Sequence, residues 1–162
     1  MSKKKSKKNF KISIITVTKN SEKFLKKNIQ SVNNQTYKNF EHIIIDGNSK
    51  DKTVDIIKKN KKNISYFESK NDRGIYDAMN KGIKKCSGDI IGILNSDDIY
   101  YDQALKIVNS YFNKNSNLDF LFGSVYKYKL MHGYNPNKIK WSFGFYTTHS
   151  VGFFIKRESQ LK

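Results

Sequence analysis

The feature that most restricts what this chain can fold into is the regular alternation of short aliphatic runs with stretches of helical spacing. Lys11 to Thr18 gathers Ile12, Ile14, Ile15 and Val17, a β-branched run of the kind found in strands buried on both faces. Behind it Phe24, Leu25, Asn28, Ile29 and Val32 recur at helical spacing, with Asn20 or Ser21 in position to cap the helix. Phe40 to Asp46 is the next apolar run and ends in Asp-Gly, and a second helix is expected from about Asp51 to Lys59. Ile64 to Phe67 reads as a third, short strand. Asn71 and Asp72 then precede Ile75, Ala78, Met79, Gly82, Ile83 and Cys86, which share one face of an amphipathic helix. Asp89 to Leu94 is a fourth strand closed by the polar turn Asn95 to Asp98, and Asp102 opens a helix carrying Leu105, Val108 and Phe112. Alternation of this kind predicts an α/β fold with a mostly parallel, Rossmann-like central sheet flanked by helices and joined by right-handed crossovers.

From Leu118 the pattern changes. Leu118 to Tyr128 and Val151 to Ile155 read as strands, whereas His132 to Tyr146 is aromatic, polar and irregular and holds the single proline, Pro136. No repeat and no linker interrupts the 162 residues, so one domain is expected over 11–162 behind a basic flexible tail over 1–10. The net charge of +17 comes almost wholly from lysine, Arg73 and Arg157 being the two arginines. Base-specific DNA readers lean on arginine forks, and lysine is a solvated point charge, so the charge alone is a weak sign of nucleic-acid recognition. One cysteine, Cys86, excludes an internal disulfide framework and, with three histidines, a finger-type zinc site, and points to a reducing compartment. No run approaches the ~20 apolar residues of a membrane span. The opening MSKKKSKK lacks the apolar segment of a secretory signal, and suits an anionic membrane surface instead.

In a parallel α/β sheet the ligand crevice lies beyond the carboxyl ends of the strands. Three polar clusters fall there: Thr16 to Asn20, Asp46 to Asp51, and Asn95 to Asp98. Adjacent Asp97 and Asp98 repel each other unless a cation relieves them, as a hard divalent ion bridging to phosphate does; the other reading is a helix cap, a task for which Asp102 is better placed. Asp46 reads either as part of an Asp-Gly turn or as the acid that accepts from a base or ribose after a nucleotide-binding strand. Arg73 precedes a helix start, where it could serve phosphate or base oxygens or simply be a surface residue. No glycine-rich phosphate loop and no GxGxxG occurs, which disfavours kinases, ATPases and dehydrogenases. His149 and Ser150 are merely sequence neighbours, and Cys86 falls on the apolar face of its helix, so a hydrolase is unsupported.

Four segments, ISIITVTKN at Ile12 to Asn20, IIIDGNSKDKT at Ile43 to Thr53, NDRGIYDAMNKGI at Asn71 to Ile83 and GDIIGILNSDD at Gly88 to Asp98, resemble in order and spacing the family-2 glycosyltransferases of the GT-A fold. The likeness is close over about the first 100 residues, and HSVGFFIKRE at His149 to Glu158 is similar to a later family segment. The resemblance implies an inverting enzyme that transfers sugar from a nucleotide donor, most often a UDP-sugar, to a glycan, lipid-linked or protein acceptor. It implies that Val17, Thr18 and Asp46 hold base and ribose, that Arg73 contacts base or phosphate, and that Asp97 leans to ribose or metal and Asp98 to the metal. The metal would be Mn²⁺ or Mg²⁺, with Asn80 and Lys81 behind the site. The donor-binding part would be 11–100 and a partial acceptor part 101–162, in a cytoplasmic protein peripheral to the membrane.

This sequence departs from the family pattern in three ways. Lys19 stands where many relatives carry an aromatic that stacks on the base, and Asn95 stands where many have the first acid of the metal motif. The general base normally follows the HSVGFFIKRE-like segment, and after Asp98 only Asp102, Asp119 and Glu158 remain as acids. The catalytic base is therefore expected beyond Lys162, in a chain truncated at its C-terminus. The alternatives are a donor-binding remnant impaired in transfer and, from another class, a basic nucleic-acid-binding module.

Overall fold

The computed structural model describes residues 8–123, 125–127, 129–131 and 152–160. Along the chain β1 (Ile12–Thr18), α1 (Leu25–Asn33), β2 (Phe40–Asp46), α2 (Thr53–Lys59), β3 (Tyr66–Ser69), α3 (Ile75–Lys85), β4 (Ile90–Ile93) and α4 (Ala104–Lys114) alternate. Then come β5 (Phe120–Phe122), β6 (Val125–Lys127), β7 (Lys129–Met131), β8 (Phe153–Lys156) and the single turn α5 (Arg157–Gln160). Six strands form one sheet in the order β3-β2-β1-β4-β8-β5, while β6 and β7 pair with each other as a second sheet. The first four strands named in that sheet are parallel, and β8 runs antiparallel to both β4 and β5. The irregular segment expected over His132 to Tyr146 lies outside the described residues, as do residues 1–7 and His149 to Val151.

Every residue of β1 is buried, because the strand is central and covered on both faces. Alternate residues serve the two layers. Ile12 and Ile14 pack with Val32, Leu105, Val108 and Phe112, so α1 and α4 cover one face. Leu25, Ile29, Ile44 and Ile57 extend that layer through α2. Ile15 and Val17 face the other way, toward Ala78 and Cys86 of the α3 segment. There Gly82 allows the close approach: a methyl at this position would fall on Ile15 Cγ2. Cys86 is accordingly core, its thiol pushed up to about 11 by burial.

The helix starts differ from their expected caps. Neither Asn20 nor Ser21 caps α1 with its side chain; the Ser21 carbonyl accepts from Phe24 and Leu25, and both side chains are drawn to neighbouring loops. Asp102 does not cap α4 either. The buried Gln35, from the loop after α1, accepts from the Leu105 amide at 3.0 Å and donates to the carbonyls of Ser31 and Tyr101. β3 lies two residues later than expected, because Ile64 follows a single 3-10 turn at Lys61–Asn63. Lys8 to Phe10, assigned by the sequence to the tail, are tied to the domain: the exposed Lys8 pairs with Asp89, and the Phe10 ring meets Phe112 edge-on at 6.3 Å.

Candidate functional site

The strand order places β1 between β2 and β4, so the chain turns away from β1 in opposite directions and leaves a crevice at their carboxyl ends. Register defines its floor. Thr18 pairs with Asp46 and Asp46 with Ser69, so three strand ends lie level. β4 is different: Ile93 pairs with Ile15, and β4 leaves the sheet three residues before β1 does. Into that step folds the turn Asn95 to Asp98, with the Asp98 amide donating to the Asn95 carbonyl at 3.0 Å.

Side chains tie the loops to one another. Ser21 and Ser96 hydroxyls meet at 2.8 Å across the crevice. Asn20, whose φ of 50° is tolerated by asparagine, donates from its amide to Ser49 Oγ and accepts from the Lys50 amide, both at 2.8 Å. The Asp51 carboxylate accepts from the amides of Thr53 and Glu22, and Glu22 accepts in return from Lys52. Burial would raise Asp51, but the Thr53 hydroxyl and these amides hold it below the usual carboxylate range. Asn48 donates to Asn71 at 2.8 Å, and Lys81 donates to the Asn71 carbonyl at 2.9 Å, which joins the β2 and β3 loops to α3.

The predicted residues take distinct places in this frame. Val17 is core, so only its backbone reaches the crevice. Thr18 is buried at the strand end, and its Oγ1 meets no partner among the described residues. Asp46 is fully buried, its carboxylate accepting from the Ser49 amide at 3.0 Å, the Ser69 hydroxyl at 2.6 Å and the Ser49 hydroxyl. Lys19 and Asp72 converge over the Asp-Gly turn: a methyl on Gly47 would stand 2.5 Å from Asp72 Oδ2 and 3.2 Å from Lys19 Cδ. Arg73 is exposed beside the start of α3, its guanidinium 3.7 Å from the Asp77 carboxylate. Asp97 is exposed and Asp98 half-buried on the stepped turn.

No group of three or more histidine, cysteine or acidic side chains gathers among the described residues. Two carboxylates on an open turn nonetheless fit a hard divalent ion, which binds through one or two protein carboxylates and completes its octahedron with phosphate oxygens and water. The buried Thr18 hydroxyl at the crevice floor, without a partner among the described residues, is a further polar group suited to a ligand. Asn28, Ser21, Ser49 and Ser96 hold the crevice together. The sequence marks Ser49 and Ser96 only as members of the polar clusters, Ser21 only as a helix cap, and Asn28 only as a polar residue on the buried face of α1.

Among the described residues no helix is long and apolar enough to cross a membrane. The family model for glycosyl transferase family 2 matches residues 13–158. Among similar proteins, an uncharacterized glycosyltransferase of Methanocaldococcus jannaschii is 32% identical over 138 residues, 80% of this chain and 48% of the relative. One from Rickettsia bellii is 38% identical over 108 residues, 65% of this chain and 16% of the relative. The chain thus spans less than half the length of these two relatives. Staphylococcus aureus TarS, residues 1–349 in complex with UDP-GlcNAc, superposes with TM-score 0.70 at 21% identity over 91% of this chain and 45% of that one. A Pyrobaculum calidifontis mannosyltransferase in complex with GDP-Man and Mn²⁺ gives 0.63 at 16% identity, over 68% and 34%. These two likenesses concern the fold alone, a GT-A arrangement. With a family model matching nearly its whole length, the chain belongs to glycosyl transferase family 2.

Proposed function

We propose that the crevice binds a nucleoside-diphosphate sugar, a UDP-sugar in the first instance, and that the protein transfers the sugar with inversion to a glycan, lipid-linked or protein acceptor. The observation that supports this reading is the acidic pair Asp97 and Asp98 on the Asn95 to Asp98 turn, which follows the early end of β4 and meets the loop after β1 through Ser96 and Ser21. Thr18 and Asp46, with the Val17 backbone, would hold base and ribose, and Ser49 and Ser69 keep the Asp46 carboxylate oriented. Arg73, exposed at the entrance, would meet phosphate or base oxygens. Asp97 and Asp98 would hold Mn²⁺ or Mg²⁺, and such an ion neutralises charge on the departing diphosphate. Residues 11–100 would form the donor-binding part and 101–162 would contribute to the acceptor side. The lysine-rich start suits contact with the cytoplasmic membrane face.

Isothermal titration of UDP and UDP-GlcNAc with and without Mn²⁺ tests the reading, with GDP as the competitor base. Binding that depends on metal and is lost in Asp98→Ala is expected. Metal-independent binding, or binding unchanged by that substitution, would overturn it.

A further inference from the structure

One side chain bonds both ends of the acidic turn. Asn28 of α1, fully buried, donates through Nδ2 to the carbonyls of Asn95 and Asp98, each at 2.8 Å. Carbonyls only accept, so both amide hydrogens of Asn28 are committed to the turn and Oδ1 faces the opposite way. Thr16 Oγ1 lies there, donating at 3.2 Å, and His42 Nε2 stands 2.9 Å beyond it. Thr16 and His42 are both buried in the centre of the sheet.

The direction of every hydrogen follows from the turn backward. Asn28 Oδ1 can only accept, so the single Thr16 hydroxyl hydrogen points to it. Thr16 Oγ1 must then accept from His42, which puts the ring hydrogen on Nε2 and leaves Nδ1 an acceptor. Burial holds His42 down to about 3, so the ring is neutral and carries one N–H. Nδ1 is buried and unpaired among the described residues. An apolar ring there would avoid that desolvation cost, but would leave Thr16 without its donor.

We propose that His42, Thr16 and Asn28 form a one-way buried chain that positions the Asn95 to Asp98 turn, with Asn28 the positioning residue and the His42 tautomer its fixed end. The proposal rests on the metal–nucleotide reading of that turn. Adjacent carboxylates that repel each other splay when their backbone is free, and a small octahedral ion tolerates little misplacement. Bracing the two flanking carbonyls sets where both side chains start. Groups that orient ligands from behind are commonly worth 10- to 100-fold in metal affinity.

The test compares Thr16→Val, which keeps shape and removes the hydroxyl, with Thr16→Ser, which keeps the hydroxyl, and adds Asn28→Ala. Mn²⁺ is titrated in the presence of saturating UDP, with thermal denaturation as the folding control. Mn²⁺ affinity should fall about 10- to 100-fold in Thr16→Val and Asn28→Ala and stay within about twofold in Thr16→Ser. Metal-free ¹⁵N NMR of the wild-type chain should find His42 protonated at Nε2 alone. The amides of Ser96 to Asp98 should move in Thr16→Val and not in Thr16→Ser. Protonation at Nδ1, unmoved turn amides, or an unchanged Mn²⁺ affinity in a folded Thr16→Val would overturn the proposal. Were the wild type to bind no UDP–Mn²⁺, the donor reading would fall, while the NMR arm would still decide the chain. Were Asn28→Ala to unfold, the serine–valine pair and the wild-type tautomer would still decide it.

Discussion

Ser21 and Ser96 bring their hydroxyl oxygens to 2.8 Å of each other although the one follows β1 and the other follows β4. Their contact is the direct side-chain bridge between the two loops that flank the crevice. Removing it in Ser21→Ala or Ser96→Ala should destabilise the fold by about 1 kcal/mol and weaken UDP–Mn²⁺ binding severalfold. A double-mutant cycle read by urea unfolding checks it, with a coupling of about 0.5–1.5 kcal/mol expected between the pair.

Gln35 should be among the most sensitive polar residues of the fold. Its side chain is buried and satisfies three backbone groups, the Leu105 amide and the Ser31 and Tyr101 carbonyls. Gln35→Ala removes the partner of the Leu105 amide and leaves the Tyr101 carbonyl with the Ala104 amide alone, and a loss of about 2–4 kcal/mol is expected from the urea midpoint, with α4 the first element to lose amide protection.

Gly82→Ala should also destabilise, by about 1–3 kcal/mol, even though alanine is the better helix former. The added methyl falls on Ile15 Cγ2, in the layer between α3 and β1. Pairing it with Ile15→Ala makes room, so the double variant should lose less, by thermal denaturation, than the sum of the two single ones.

Glu41 should make the fold lose stability in acid. Burial alone would raise this carboxylate, but the Lys11 ammonium, the Ser13 hydroxyl, and the Ser87 amide and hydroxyl hold it down to about 2, against an ordinary value of 4.5. A lowered folded value means stability that is fully present above pH 4.5 and is lost as pH falls toward 2. The amount is on the order of 3 kcal/mol. Unfolding free energies of wild type and Glu41→Gln should differ most above pH 5 and converge near pH 2.

How much of this could be read from the sequence depends on range. β2 spans the residues its pattern predicts, and the apolar face of α3 packs as its spacing requires, except that Ile75 at its start is exposed. These are local consequences of periodicity. The observed caps differ from the expected ones because polar residues at strand ends have partners that no local window contains. Asn20 reaches the Lys50 amide, and the α4 start is capped from Gln35, 70 residues earlier. Asp97 and Asp98 were legible as an acidic turn, but the brace beneath it was not, since Thr16, Asn28 and His42 meet only after β1, β2 and α1 have packed.

The cross-bonding of the crevice loops also bears on how such a protein can change. Asn20 with Ser49, Ser21 with Thr53 and Ser96, and Asn48 with Asn71 make each loop a partner in its neighbour's shape. A single loop transplanted from a relative would arrive without its counterparts and distort those that stayed. Exchange of these loops between relatives should therefore succeed only when the β1, β2, β3 and β4 loops travel as one cassette.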